Sequence, residues 1–309
     1  MSQKFTVNVR FSKHFGTLES LSFWGEGVGG GLYIAAILFG VRSLATLGVV
    51  FVLSAVIALL AHLGNPQRSW RASTRVATAW VSRGTVTIGG FLVASVLYLT
   101  MYYYNGVVAL QAILESVSIV LAILVIIYAG MLLRSMRAIR FWSSVYVPLS
   151  FGVHSVATGL VVVWAVAVFR PGMEINTTVS WVLAIAGLIA TVAVSLFYLA
   201  GIERSEGVRA SISRLTRGDL QTQLLLGAGL IGVLIPAVGV IGYTLMSTRV
   251  THAEKMMLLA AVVFSRLYGD FSYRNSIVLA GAYEPIVPRA LRGAIIGSRA
   301  AAQRAGLGL

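Results

Sequence analysis

Eight stretches of about 20 to 28 mostly apolar residues recur along the 309-residue chain, and each is long enough to cross a hydrocarbon core roughly 30 Å thick. They occupy residues 21–41, 44–63, 85–104, 107–133, 143–169, 179–202, 224–246 and 256–283. A lipid interior offers backbone groups no water, so the spans read as helices. The expected fold is all-α and polytopic, with eight transmembrane helices, short loops and both termini on the same side. The last stretch is the least clean, because it contains Arg266, Asp270 and Arg274. On this reading residues 1–20 form a basic N-terminal segment, 21–283 the transmembrane domain and 284–309 a basic tail. No segment outside the spans is long enough for a separate folded head.

Composition agrees: 58% of the residues are apolar and 11% charged, where an ordinary soluble domain is about a quarter charged. That excludes a soluble enzyme of one or two domains. The net charge of +14 would suggest nucleic acid in a soluble protein, but here a bilayer explains it and no nucleic-acid partner is expected. Eight spans place eighteen of the 24 Lys and Arg on the side of the N-terminus, four on the other side, and Arg266 and Arg274 inside the last span. An odd number of spans would scramble this partition. Positive loops favour the cytoplasm, so both termini are expected there, in the cell membrane. No apolar run precedes Leu21, so the first span is expected to direct its own insertion.

The basic side carries two amphipathic connections. In residues 65–83, Trp70, Ala77 and Val81 share one helical face and Arg68, Arg71 and Arg75 another, as in an interfacial helix. Residues 203–222 repeat the pattern with Val208, Ile212 and Leu215, and the tail does so weakly with Leu291 and Ile295. Contact with lipid headgroups and docking of an acidic partner both fit this basic apron. On the other side, Asn105-Gly106 marks a tight turn after three tyrosines suited to an aromatic belt.

Ionisable groups inside spans cost about 2.5 to 3.5 kcal/mol on insertion scales, so each needs a partner or a purpose. Glu26 lies in Gly25-Glu26-Gly27-Val28-Gly29-Gly30-Gly31, where the glycines allow close helix approach beside a carboxylate. The run follows no strand and is not a dinucleotide fingerprint. Arg266, Asp270 and Arg274, spaced by four, can satisfy one another as an intrahelical ladder, or Asp270 can stand beside a proton path. Glu115 is expected to be a buried, protonated carboxyl bonded to a neighbouring serine. With no cysteine, the chain has no disulfide, no thiolate iron–sulfur ligand and no thioether haem attachment, and no metal site is expected. The four histidines, His14, His62, His154 and His252, form no clear bis-histidine pair at one depth, although a haem b through His62 and His14 stays open.

The stretch His62-Leu63-Gly64-Asn65-Pro66-Gln67-Arg68-Ser69-Trp70 resembles the H-L-G-x-P-x-R segment of dimethyl sulfoxide reductase membrane anchor subunits, within the wider NrfD-like polysulfide reductase family. Trp142-Ser143-Ser144-Val145-Tyr146-Val147-Pro148-Leu149-Ser150-Phe151 resembles the W-x-S-x-x-x-P-L-x-F entry to that family's fifth helix. The first helix is similar too, with a polar residue before a glycine cluster.

The resemblance implies a haem-free, eight-helix subunit that takes electrons from a quinol of menaquinone type. It would pass them to a ferredoxin-like four-cluster iron–sulfur subunit, which feeds a molybdopterin catalytic subunit. It makes His62 the acceptor of the quinol proton, an imidazole suited to that task near neutral pH. Arg68, Trp70 and Glu26 join His62 around the quinone, with Arg68 polarising the quinone oxygen or holding the partner. The family's own proton relay does not carry over, and Glu26, Asp270 and Arg274 are the expected proton path in its place, with Arg68, Arg71, Arg75, Arg137 and Arg140 as the expected docking face. Two positions depart from the family pattern. Ser82-Arg83-Gly84 has glycine where a Ser-x-Glu carboxylate is usual, and Gly269-Asp270-Phe271-Ser272-Tyr273-Arg274 replaces G-R-x-x-F-Y. Reverse electron flow, a haem b anchor, a proton or solute transporter and a purely structural anchor stay open at this stage.

Overall fold

Helix α1 (Thr17–Leu38) is the axis about which the others pack, and almost all its residues after Leu21 are buried. Glycine makes that possible. Gly25 and Gly29 lie against α2 (Arg42–His62), Gly30 against α4 (Val108–Arg134), and Gly27 and Gly31 against α5 (Tyr146–Phe169) and its neighbours. A Cβ on Gly31 would stand 2.0 Å from the Ser155 carbonyl oxygen, and one on Gly159 would stand 2.3 Å from the Gly31 carbonyl oxygen. Small residues let helix backbones touch in lipid, where burial of apolar side chains gives no drive between helices.

The computed structural model describes residues 9–12, 15–62, 66–170, 175–246 and 251–284, without the side chains of residues 62, 66, 68, 69, 72 and 246. After α2 a 3-10 segment (Pro66–Arg75) leads to α3 (Trp80–Tyr103), which turns into α4 at Asn105. Asn105 has φ of 51° and the Gly106 amide donates to Met101 O at 2.8 Å, the tight turn expected there. Beyond α5 come α6 (Thr177–Gly201), the short α7 (Glu206–Thr216), a π-helical segment (Gln223–Leu234), α8 (Ile235–Met246) and α9 (His252–Leu279). Strand β1 (Arg10–Phe11) pairs antiparallel with β2 (Ala282–Tyr283), so the segment before α1 meets the segment after α9.

Among the described residues, seven helical spans are long and apolar enough to cross a membrane, the seventh joining the π segment to α8. Helix α9 has the length, 28 residues, but its charges keep it out of that group. It also stops at Leu279, so the last stretch ends earlier than residue 283 and finishes in a strand. The protein is an all-α polytopic membrane protein.

Both amphipathic connections differ from an interfacial apron. The first ends at Arg75, and Val81 belongs to α3, so Trp70, Ala77 and Val81 do not share one helix face. In the second, Val208 and Leu215 are fully buried, so α7 packs on the protein rather than on lipid. Ser205 caps α7 by accepting from Val208 N–H and donates to Glu284. Nearby, Arg214 holds Asp219 with two bonds of 2.7 and 2.6 Å, which keeps that carboxyl below its usual range. The amphipathic tail after Pro288 lies outside the described residues.

Gly31→Ala should destabilise the detergent-solubilised protein by about 1–3 kcal/mol through overpacking. Gly89→Ala, where no atom lies within 4 Å of an added Cβ, should leave it unchanged or slightly more stable. Thermal unfolding of both variants checks this; equal effects would refute backbone contact between α1 and α5.

Candidate functional site

Three helices bring the ionisable groups of the interior together. On α9, Arg266, Asp270 and Arg274 are each fully buried, and the expected ladder forms only in part. Arg274 Nε donates to Asp270 Oδ2 at 3.2 Å. Arg266 turns away to other helices: Nε donates to Thr158 Oγ1 at 3.0 Å, Nη1 to Gly232 O at 3.0 Å and Nη2 to His154 O at 3.1 Å. An arginine presents five donors on a long stem, so neutral oxygens on α5 and the π segment can serve it as well as a carboxylate one turn away.

Local sequence prepares these acceptors. The hydroxyls of Ser155 and Thr158 donate back along α5 to Phe151 O and His154 O, which leaves their lone pairs facing α9. Arg274 Nη2 uses them, donating to Ser155 Oγ at 2.7 Å and to Phe151 O at 3.0 Å. Room for the guanidinium comes from Gly27, where a Cβ would meet Arg274 Nη2 at 2.5 Å. The crossing of α9 with the π segment is as close, since a Cβ on Gly269 would stand 2.0 Å from the Gly232 Cα.

His154 completes the cluster. Its ring stacks on Tyr273 with centroids 3.9 Å apart and planes 11° apart. Its Nε2 lies 3.3 Å from Ser195 Oγ on α6, and its Nδ1 lies 3.6 Å from Asp270 Oδ1. Glu26 is buried on α1, within electrostatic reach of Arg274 and Tyr128. Among the described residues its Oε2, Arg274 Nη1, Asp270 Oδ1 and His154 Nδ1 have no hydrogen-bond partner. Sequence reasoning weighed His154 only as a haem ligand. Its position three residues before Ala157-Thr158 and one before Ser155, on the face that receives Arg266 and Arg274, is the signal that would have found it.

Gly84 has a clear reason for its departure from the family pattern. A Cβ there would stand 1.9 Å from the Tyr128 ring, so Tyr128 of α4 fills the space next to α3 where a longer side chain would otherwise project. Glu115 corrects another expectation. It is not a buried acid bonded to serine: it accepts from Tyr98 Oη at 2.7 Å and from Arg42 Nη2 at 3.4 Å, while Ser118 meets Tyr33 Oη at 2.7 Å. This network joins the ends of α1, α2, α3 and α4.

The remaining site residues lie apart from the buried cluster. Trp70 is 63% exposed with the Arg71 guanidinium 5.7 Å from its ring, and Arg75 is exposed. Arg137 and Arg140 are exposed beyond α4, where Arg140 meets Glu203 at 3.3 Å. His62 ends α2, but its side chain and that of Arg68 lie outside the described residues, as does the whole of His14. Between α1 and α2 runs an apolar groove of about 350 Å³ lined by Leu21, Trp24, Gly25, Leu47, Val50, Phe51, Ser54, Ala55 and Ala58. Trp24 is fixed there by donating to Leu267 O at 3.0 Å and by edge contacts with Phe51 and Phe271. Glu26 does not line the groove.

The DMSO reductase anchor subunit (DmsC) family matches residues 31–275, from within α1 to near the end of α9. The chain belongs to the DmsC family. No curated protein matches it. As a DmsC-family protein it is the membrane anchor subunit of a DMSO reductase-type complex, and it associates with the catalytic and iron–sulfur subunits of an oxidoreductase. The buried arginines fall within the matched segment of this DmsC-family chain, as do the groove's α2 wall and His62.

Arg274→Leu should destabilise the fold by about 3–5 kcal/mol, because Asp270 is left buried without its donor. The double variant Asp270→Leu with Arg274→Leu should cost less than the sum of the two single changes. Folding yield and melting of the three variants in detergent measure the coupling, and strict additivity would mean that the pair does not act as one.

Proposed function

We propose that this anchor subunit oxidises a membrane quinol at the end of α2 and passes the electrons to an iron–sulfur subunit that feeds a molybdopterin catalytic subunit. The observation that carries the reading is the apolar groove between α1 and α2, whose last wall residue, Ala58, lies one helical turn before His62. Flat aromatic edges from Trp24 and Phe51 and a glycine floor suit a greasy two-electron carrier of menaquinone type. A quinol supplies two electrons and two protons when it is oxidised.

His62 serves as proton acceptor, since an imidazole near neutrality can take a hydroxyl proton as electrons leave. Arg68 stands six residues on and holds the quinone oxygen or the partner, with Trp70 at the rim. Protons leave by way of Glu26, Asp270 and Arg274, which are buried in the interior. Arg68, Arg71, Arg75, Arg137 and Arg140 form the docking face for the acidic partner, with lipid headgroups around it. The same residues can run the reaction toward quinone reduction.

The pairing of β1 with β2 supports an even number of crossings, with α9 as the eighth span, because it joins the two described ends of the bundle. Both termini then face the cytoplasm from the cell membrane, and residues 21–283 form the transmembrane domain between a basic N-terminal segment and a basic tail.

His62→Gln keeps the reach of the side chain and removes the titratable ring. In an intact complex it should lower quinol-dependent turnover about 100-fold while leaving assembly and reduction by an artificial donor unchanged. Unchanged quinol turnover in the assembled variant would rule out the acceptor role.

A further inference from the structure

Hydrogen-bond direction fixes more about His154 than its position does. The Ser195 hydroxyl has one proton, and it is committed to Thr191 O at 2.6 Å. The oxygen of Ser195 therefore faces His154 Nε2, 3.3 Å away, as an acceptor. Thr191's carbonyl also lies in reach of the ring. The shorter bond to Thr191 takes the serine proton, and that assigns the ring proton to Nε2. In a neutral imidazole Nδ1 would be bare, and it faces Asp270 Oδ1 at 3.6 Å. Among the described residues Asp270 Oδ1 and His154 Nδ1 are both buried without another partner, while Asp270 Oδ2 is taken by Arg274 Nε. Two lone pairs would point at each other in a site shut off from water, a costly arrangement for buried polar groups.

We infer that the His154–Asp270 pair binds one further proton, held on Nδ1 or on Oδ1, and is a proton-storage site between α5 and α9. The step is simple protonation: a proton joins the facing lone pairs and nothing is oxidised or reduced. The groups around the pair set its balance. Arg266, Arg274 and the stacked Tyr273 face it from α9, α6 contributes the hydroxyl of Ser195 and α5 the hydroxyls of Ser155 and Thr158, while Glu26 on α1 is in electrostatic reach of Arg274. Two guanidinium groups repel a charged imidazolium and the carboxylate of Asp270 holds it, so the opposed forces leave this proton exchangeable. The site goes beyond the quinol reading, in which Asp270 lies on a proton path and His154 has no part. It stands whether or not His62 handles a quinol.

Nitrogen NMR of the full-length protein in lipid or detergent tests the assignment. The chain has one His-Ser dipeptide, His154-Ser155, so labelling histidine with ¹⁵N and ¹³C and serine with ¹⁵N identifies His154 without mutation. At neutral pH either both ring nitrogens of His154 are protonated, or the ring is neutral and infrared spectra show the deuterium-sensitive carbonyl stretch of a protonated Asp270. Asp270→Asn should abolish both signatures and leave a neutral ring, because an amide can donate to Nδ1 and still accept from Arg274. A neutral His154 in either tautomer, together with an ionised Asp270 in the unmodified protein, would overturn the proposal. The unmodified protein alone decides the question if Asp270→Asn does not fold.

Discussion

A guanidinium buried in the protein interior has to find oxygen, and Arg266 and Arg274 find it on α5. Their effective desolvation penalty is several kcal/mol each, so the chain is built around meeting it. Ser155 and Thr158 turn lone pairs outward, the carbonyls of Phe151 and His154 accept, and the π segment offers Gly232 O. Helix α9 is thereby pinned to α5 by polar contacts and to the π segment by a glycine crossing. The same contacts bring Asp270 to His154 and Arg274 to Glu26, so one physical demand assembles the interior cluster.

Helix α1 answers a different demand. It must lie against four neighbours at once, which only a run of small residues allows, and its glycines face a different helix at nearly every step. Gly25 opens toward α2 and leaves a groove beside Trp24, whereas Gly27 makes room for Arg274. One helix therefore separates an apolar groove against α2 from a polar interior around Glu26. A carrier in the groove and a proton in the cluster would lie on different faces of α1.

Much of this was legible in the sequence because length, charge partition and turn chemistry act locally. Seven spans, the Asn105-Gly106 turn and the family motifs follow from runs of neighbouring residues. Long side chains defeat such reasoning. Arg266 was placed in a ladder with Asp270, its neighbour along the helix, but its reach carries it to two other elements. Glu115 finds Arg42 from 73 positions away, and His154 finds Asp270 across helices that no spacing rule connects. The amphipathic pattern of Val208 and Leu215 fits lipid headgroups and an acidic partner alike, because amphipathicity shows which face is apolar and not what covers it, and here the protein's own core does. The charges of α9 both hide it as a span and explain why it is there.

A photoreactive menaquinone analogue, crosslinked to the complete complex and mapped by peptide sequencing, tests most directly whether a quinol lies at the end of α2. Labels confined to residues 21–25 and 47–62 are expected, and excess unlabelled quinone should compete them away. Competed labels between any other pair of helices would contradict it.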